Sequence, residues 1–297
     1  MGASVGPPGA GADAPLPLQE RPVPVAAGPT LAGFALVPPG EVRAAVAMIH
    51  GVGEHWRRYA GVHRALFDAG FAVAAADLRG FGRSPGARGH IDSWDDYRAD
   101  AGAIVGLAAS LAPGRPVFLF GHSMGGLIAL DYALQRPQGL SGVVASGPAL
   151  IPGGVRRPLL EAASRLLARL APRLSVDLGI DTSGISSDPA VVADYLADPL
   201  VHSKVTMRWG AEILRTMPAT LAAAPRFALP LLLLHGADDP INAPAGSQAF
   251  RDACGHPDCT LKRYAGSRHE VHHDVARAAF ERDLVRWLRV RAMRRPA

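Results

Sequence analysis

The sequence predicts an α/β fold with a mostly parallel central sheet flanked by helices and a helical segment inserted after the sixth strand. Three observations carry this. Short apolar runs alternate with helix-compatible stretches along most of the 297 residues, the order that a parallel sheet covered on both faces requires. The pentapeptide Gly121-His122-Ser123-Met124-Gly125 lies between an apolar run, Pro116–Phe120, and a helix-compatible run, Gly126–Leu134. That is a G-x-S-x-G turn in a strand-turn-helix setting. Finally, the alternation stops at Pro148 and resumes near residue 230.

Residues 1–24 are mostly Gly, Ala and Pro and read as a disordered tail. They lack the basic start and apolar stretch of a secretory signal. Strand-type segments follow at about 22–26, 31–37 and 44–49. Tyr59–Ala69 reads as a helix stopped by Gly70, and Phe71–Ala76 as a buried strand ending at Asp77. A Gly- and Arg-rich loop covers 80–90. Ser93 is placed to cap a helix that carries Asp95 and Asp96 in its first turn and runs to about Leu111. Strand 116–121, helix 124–136 and strand 142–146 complete the first half.

Residues 148–226 hold no strong strand and three helical stretches, near 154–171, 188–197 and 204–222. Strand 230–235, helix 244–253, strand 259–264 and helix 274–291 then follow. The core is therefore assigned to 25–147 and 227–297, with 148–226 as a cap over the C-terminal sheet edge, where open α/β sheets bind ligands. At about 100° per residue, Val155, Leu159, Leu160, Ala163, Leu166, Leu167 and Leu170 share one face of the first cap helix, opposite Arg157, Arg165 and Arg169. This face either packs on the core or meets lipid-like substrate or a membrane surface.

A hydrophobic content of 48% suits one large core with an insertion. The net charge is +5, and Lys204 and Lys262 are the only lysines. Without a dense basic run interleaved with aromatics, nucleic-acid binding is not expected. Cys254 and Cys259 flank His256, too few ligands for a metal site. They read as free thiols, with a short-range disulfide as the alternative. No uncharged apolar run reaches membrane-spanning length, and a cytoplasmic protein is expected.

A serine hydroxyl needs a base to take its proton and an acid to orient that base. On this kind of sheet the chain order is Ser, acid, His. The acid belongs just past the strand ending at His235, where Asp238 and Asp239 both lie; spacing favours Asp239. His269 is the first histidine after the next strand and is the expected base. His122 should point away from the serine, and His235 reads as structural. An oxyanion needs two backbone N–H donors. Met124 follows the nucleophile, and Val52 sits in the loop His50-Gly51-Val52-Gly53-Glu54 after an apolar strand.

These residues resemble the monoacylglycerol lipase family of α/β-hydrolases. The likeness lies in His50-Gly51-Val52-Gly53-Glu54-His55 with Arg58-Tyr59, in Asp77–Ser84, in Gly121–Gly126, in Asp188-Pro189, in Asp198–Val201, in His235–Asp239 and in Gly266–His272. The resemblance implies a catalytic set of Ser123, Asp239 and His269, with Val52 and Met124 as oxyanion donors and no metal or organic cofactor. It also implies that Glu54, Arg58 and His272 shape the polar end of the pocket, where a glycerol head group sits. Two departures stand out. Phe81 replaces a usual His, and Trp56-Arg57 replace small or polar residues, which could alter the pocket entrance. The expected activity is release of a fatty acid from monoacylglycerol through an acyl-enzyme. A lysophospholipase, a broad carboxylesterase and a non-enzymatic ligand sensor are the alternatives. The expected partner is a lipid-like ester, with room for peripheral membrane contact through the cap.

Overall fold

A computed structural model of the protein describes residues 15–154 and 167–293. Ten strands lie among the described residues: β1 Gln19–Pro24, β2 Thr30–Leu36, β3 Ala44–Ile49, β4 Phe71–Ala76, β5 Val117–His122, β6 Gly142–Ser146, β7 Ser175–Asp177, β8 Lys204–Thr206, β9 Leu231–Gly236 and β10 Cys259–Tyr264. Eight of them form one sheet in the order β1-β2-β4-β3-β5-β6-β9-β10. β1 and β2 are antiparallel to their neighbours, and the other pairings are parallel. The fold class expected from the sequence is the one observed.

The inner strands explain why the sequence shows continuous apolar runs. In β3, Ala45, Ala47 and Ile49 face one core cluster, whereas Ala44, Val46 and Met48 face the other. In β9, Leu231 and Leu233 alternate with Leu232 and Leu234 in the same way. Side chains on a strand alternate sides, so a strand buried on both faces needs apolar residues at every position. Each fully buried Leu or Val contributes about 1.5–3 kcal/mol.

Helices α1 Ala60–Asp68, α2 Asp95–Leu111, α3 Met124–Gln135, α4 Pro189–Ala197, α5 Met207–Ala222, α6 Pro244–Ala253 and α7 Arg277–Ala292 join these strands. Ile104 of α2, Leu127 of α3 and Phe250 of α6 lie in one cluster; Leu66 of α1 and Leu284 of α7 lie in the other. Layers on both faces leave the strand ends as the place where loops converge.

The structure differs from expectation in three places. β1 starts at Gln19, inside the segment expected to be a tail, and Val23 is buried. Pro22 and Pro24 obscured it; proline cannot complete a ladder on both sides but is tolerated on an edge strand. The insertion carries a short antiparallel ribbon, β7 with β8, in addition to helices. The Ser93 cap is reversed: the Asp96 carboxylate accepts from the backbone amides of Asp92 and Ser93, at 2.8 and 3.3 Å, and no side chain caps the helix start. Most of the expected amphipathic helix near 154–171 falls outside the described residues.

The insertion is tied to the core loops. Asp188 and Thr206 cap α4 and α5 by accepting from the amides of Ala190 and Trp209. The His202 amide donates to the Gly53 carbonyl, and the His269 and Glu270 amides donate to the carbonyls of Gly184 and Ile185. Trp209, Ile213 and Met217 of α5 pack on the core.

Candidate active site

Ser123 occupies the turn between β5 and α3 with φ 55° and ψ −118°. A side-chain-bearing residue pays strain there, and the neighbouring glycines show what enforces it. A Cβ on Gly121 would stand 2.0 Å from the Gly125 carbonyl oxygen, and one on Gly125 would stand 2.3 Å from that of Ile49. Strand and helix therefore meet too closely for a side chain at position 121 or 125, and the serine side chain points away from the contact.

The loop that carries Val52 approaches Ser123 from the end of β3. A Cβ on Gly51 would lie 3.2 Å from Ser123 Cβ. The Gly51 amide donates to Glu54 Oε1 at 2.7 Å, which fixes the loop, and Gly53 takes φ +78°, a left-handed value that suits glycine. Val52 and Met124 both line an apolar cavity of about 520 Å³ that also contains Ser123. Met124 is the first residue of α3, where a helix leaves amide donors without carbonyl partners.

His269 Nδ1 lies 2.7 Å from Asp239 Oδ2. Of the two adjacent acids, it is Asp239 that meets the imidazole, while Asp238 is exposed. Asp239 Oδ1 accepts from the amides of Ile241 and Asn242, at 2.8 and 3.0 Å, and Oδ2 also faces His235 Nε2 at 3.1 Å. Burial pushes the Asp239 pKa up, but the two imidazoles outweigh burial and hold it well below the usual carboxylate range. Burial lowers the pKa of His269, and the Asp239 charge and hydrogen bond outweigh that, so it ends raised. Ser123, His269, Glu54 and Val52 line one small recess. His122 turns away from the serine toward Ser146 Oγ at 3.3 Å, and burial lowers its pKa to about 3.

The three residues assigned to the polar end separate. Glu54 lines the recess, but neither Arg58 nor His272 lines it or the larger cavity. Arg58 is drawn between two buried carboxylates, with Nε 3.2 Å from Glu54 Oε2 and NH2 2.7 Å from Glu270 Oε2. Burial opposes its charge, yet Glu270 and Glu54 prevail and its pKa rises. His272 stacks on Tyr59 at 4.8 Å between ring centroids, and burial first, then the neighbouring imidazoles and Arg58, push its pKa well down. Glu54 thus borders the recess, whereas pairing with the carboxylates holds Arg58, and stacking on Tyr59 holds His272, outside the lining of both cavities. Glu270, His272 and His273 form the one grouping among the described residues with metal-ligand proximity. Arg58 and His273 Nδ1, both 2.7 Å from Glu270 Oε2, already occupy that carboxylate, so the grouping reads as an ion-paired cluster.

Residues 40–276 match the family described as Hydrolase_4: Serine aminopeptidase, S33. The chain is 36% identical over 255 residues to the monoacylglycerol lipase of Mycolicibacterium smegmatis, covering 84% of this chain and 90% of that one. The chain belongs to the monoacylglycerol lipase family. It is also 36% identical over 250 residues to an uncharacterized abhydrolase domain-containing protein of Dictyostelium discoideum, of which it spans only 26%. A crystal structure of a soluble variant of monoglyceride lipase from Saccharomyces cerevisiae, in complex with a substrate analog, superposes with TM-score 0.83 at 28% identity, over 96% of this chain and 99% of that one.

Within this monoacylglycerol lipase family member, the sequence departures fall away from the catalytic cavity. Trp56 packs on Phe34 at 4.1 Å, and Arg57 stacks over Trp56 and reaches Glu20 at 3.4 Å; both line a separate groove beside β1 and β2. Phe81 stacks on His202 of the insertion at 5.0 Å. Sequence reasoning missed Asn242. Its amide Nδ2 donates to the Gly147 carbonyl at 2.8 Å and lies 3.5 Å from Ser123 Oγ, which no spacing rule signals.

Proposed function

We propose that the protein is a serine ester hydrolase that releases a fatty acid from monoacylglycerol. The observation that carries this reading is the His269–Asp239 pair sharing a recess with Ser123, at the foot of an apolar cavity. His269 donates its Nδ1 hydrogen to Asp239, leaving Nε2 as the basic atom. Ser123 Oγ attacks the ester carbonyl as His269 Nε2 takes its proton. The amides of Val52 and Met124 receive the oxyanion, each donor contributing about 3–4 kcal/mol. His269 then protonates the departing glycerol oxygen. In the second half it draws a proton from water that attacks the acyl-enzyme and hands it to Ser123 Oγ as the acyl–oxygen bond breaks and the fatty acid leaves.

Residues 148–226 act as the cap in this reading. Leu178, Trp209, Ile213, Leu214 and Met217 give the cavity an apolar wall suited to an acyl chain, and Glu54 offers the recess a carboxylate for a glycerol hydroxyl. No helix among the described residues is long and apolar enough to cross a membrane. Leu167, Leu170, Leu174 and Leu196 are exposed on the insertion and support peripheral contact with a lipid surface. The test is a panel of monoacylglycerols, diacylglycerols, lysophospholipids and nitrophenyl esters. Monoacylglycerol should show the highest kcat/KM; equal or better lysophospholipid turnover overturns the head-group assignment. Fluorophosphonate labelling, lost in Ser123→Ala, separates an enzyme from a sensor.

A further inference from the structure

We propose that His235 is a positioning residue that holds the Asp239 carboxylate toward His269, with Ser247 fixing the tautomer of its ring. This rests on the reading of Ser123, His269 and Asp239 as the catalytic set.

His235 lies near the end of β9 with its side chain completely buried. The four preceding residues of β9 are leucines that fill the two cores. An imidazole in that run is costly to bury unless its polar atoms are satisfied, and both of them are. Nε2 stands 3.1 Å from Asp239 Oδ2 and 3.0 Å from the Asn242 carbonyl oxygen. Both partners are acceptors, so Nε2 carries a hydrogen. In the neutral ring Nδ1 is then an acceptor, and it lies 2.7 Å from the hydroxyl of Ser247 on α6, which donates to it. Ser247 is fully buried as well.

Asp239 consequently receives four hydrogens: two backbone amides on Oδ1, and one imidazole N–H on each side of Oδ2. A carboxylate offers about four such sites, so its plane is fully determined. The second His235 contact, to Asn242, also ties the turn after Asp239 down onto β9. That turn carries the Asn242 amide group that borders Ser123. With His235 absent, Oδ2 has only the His269 N–H to hold it, and that is the group it is meant to orient.

The experiment compares His235→Leu, His235→Gln and Ser247→Ala with wild type. It measures kcat and KM on a monoacylglycerol and a nitrophenyl ester, the rate of fluorophosphonate labelling, and thermal melting. His235→Leu should lower kcat and the labelling rate roughly 10- to 100-fold, the range expected when one hydrogen bond to a charged group is lost, with KM within about twofold. His235→Gln, whose amide N–H can reach both acceptors, should recover most of the loss, and Ser247→Ala should fall between. A folded His235→Leu with wild-type kcat overturns the proposal, as does a Gln variant as impaired as the Leu variant. If His235→Leu does not fold, Ser247→Ala decides: a wild-type kcat and labelling rate there overturn it. A wild type that hydrolyses neither ester would instead overturn the catalytic reading on which the proposal rests.

Discussion

At the scale of single residues, the site depends on which charges burial permits. Burial lowers the pKa of His269, and Asp239 more than compensates, leaving it above its ordinary 6.5. The ring must be neutral to accept the serine proton, so kcat/KM should fall as pH drops through that raised value and level off above it. Asp239→Asn should lower kcat by about 10⁴ and move this acid limb downward, because the group that raises the pKa is gone; a pH–rate profile reads both. Glu270 shows the opposite sign. Burial favours its neutral form, but His273 and Arg58 hold its pKa down at about 2 against 4.5 for a free side chain. The stability it contributes is complete above 4.5 and is lost as pH falls toward about 2. Glu270→Gln should therefore melt lower at neutral pH, since it leaves the buried Arg58 with only one of its two carboxylate partners, Glu54, and should lose less on acidification through that window. The convergence of Ser123, Asp239 and His269 was legible because their order along the chain follows from which strand ends meet. Asn242 and the double role of His235 were not, because a turn asparagine and a histidine at a strand end carry no distinctive spacing. The separation of Arg58 and His272 from the cavity lining was not legible for a related reason: a motif position shows that a residue is near the site, not which way its side chain turns.

At the scale of elements, glycines provide a clean contrast. Gly125→Ala would drive a methyl group against the carbonyls of Ile49 and His50, at 2.3 and 2.5 Å, so it should separate β3 from α3 and abolish both labelling and turnover. Gly106 lies exposed inside α2, where a Cβ would meet nothing within 4 Å. Gly106→Ala should stabilise the protein by about 0.5–1 kcal/mol, seen as a higher denaturation midpoint with unchanged kcat. The parallel strands and their helices were legible because burial on both faces leaves runs of Leu, Val and Ala that nothing else explains. The β7–β8 ribbon was not, because three residues are too few to show alternation, and β1 was hidden by prolines that only an edge position accommodates.

At the scale of the whole molecule, the insertion and the core together line the apolar cavity beside Ser123, and its proposed role as the acyl site can be tested from the insertion's side. Gly210 of α5 lines the cavity, and a Cβ there would point into open space. Gly210→Leu should shorten the cavity and shift the preferred acyl chain downward, while hydrolysis of short esters stays near wild type; a chain-length series measures this. The backbone at Ser123 has a broader consequence. A residue held at φ 55° stores about 1–3 kcal/mol, whereas glycine occupies such a conformation freely at an entropic penalty of about 0.5–1 kcal/mol. Ser123→Gly should therefore outlast both the native protein and Ser123→Ala on heating. In this molecule, thermal endurance and reactivity draw on the same bend in the chain, and the inert variant would be the hardier one.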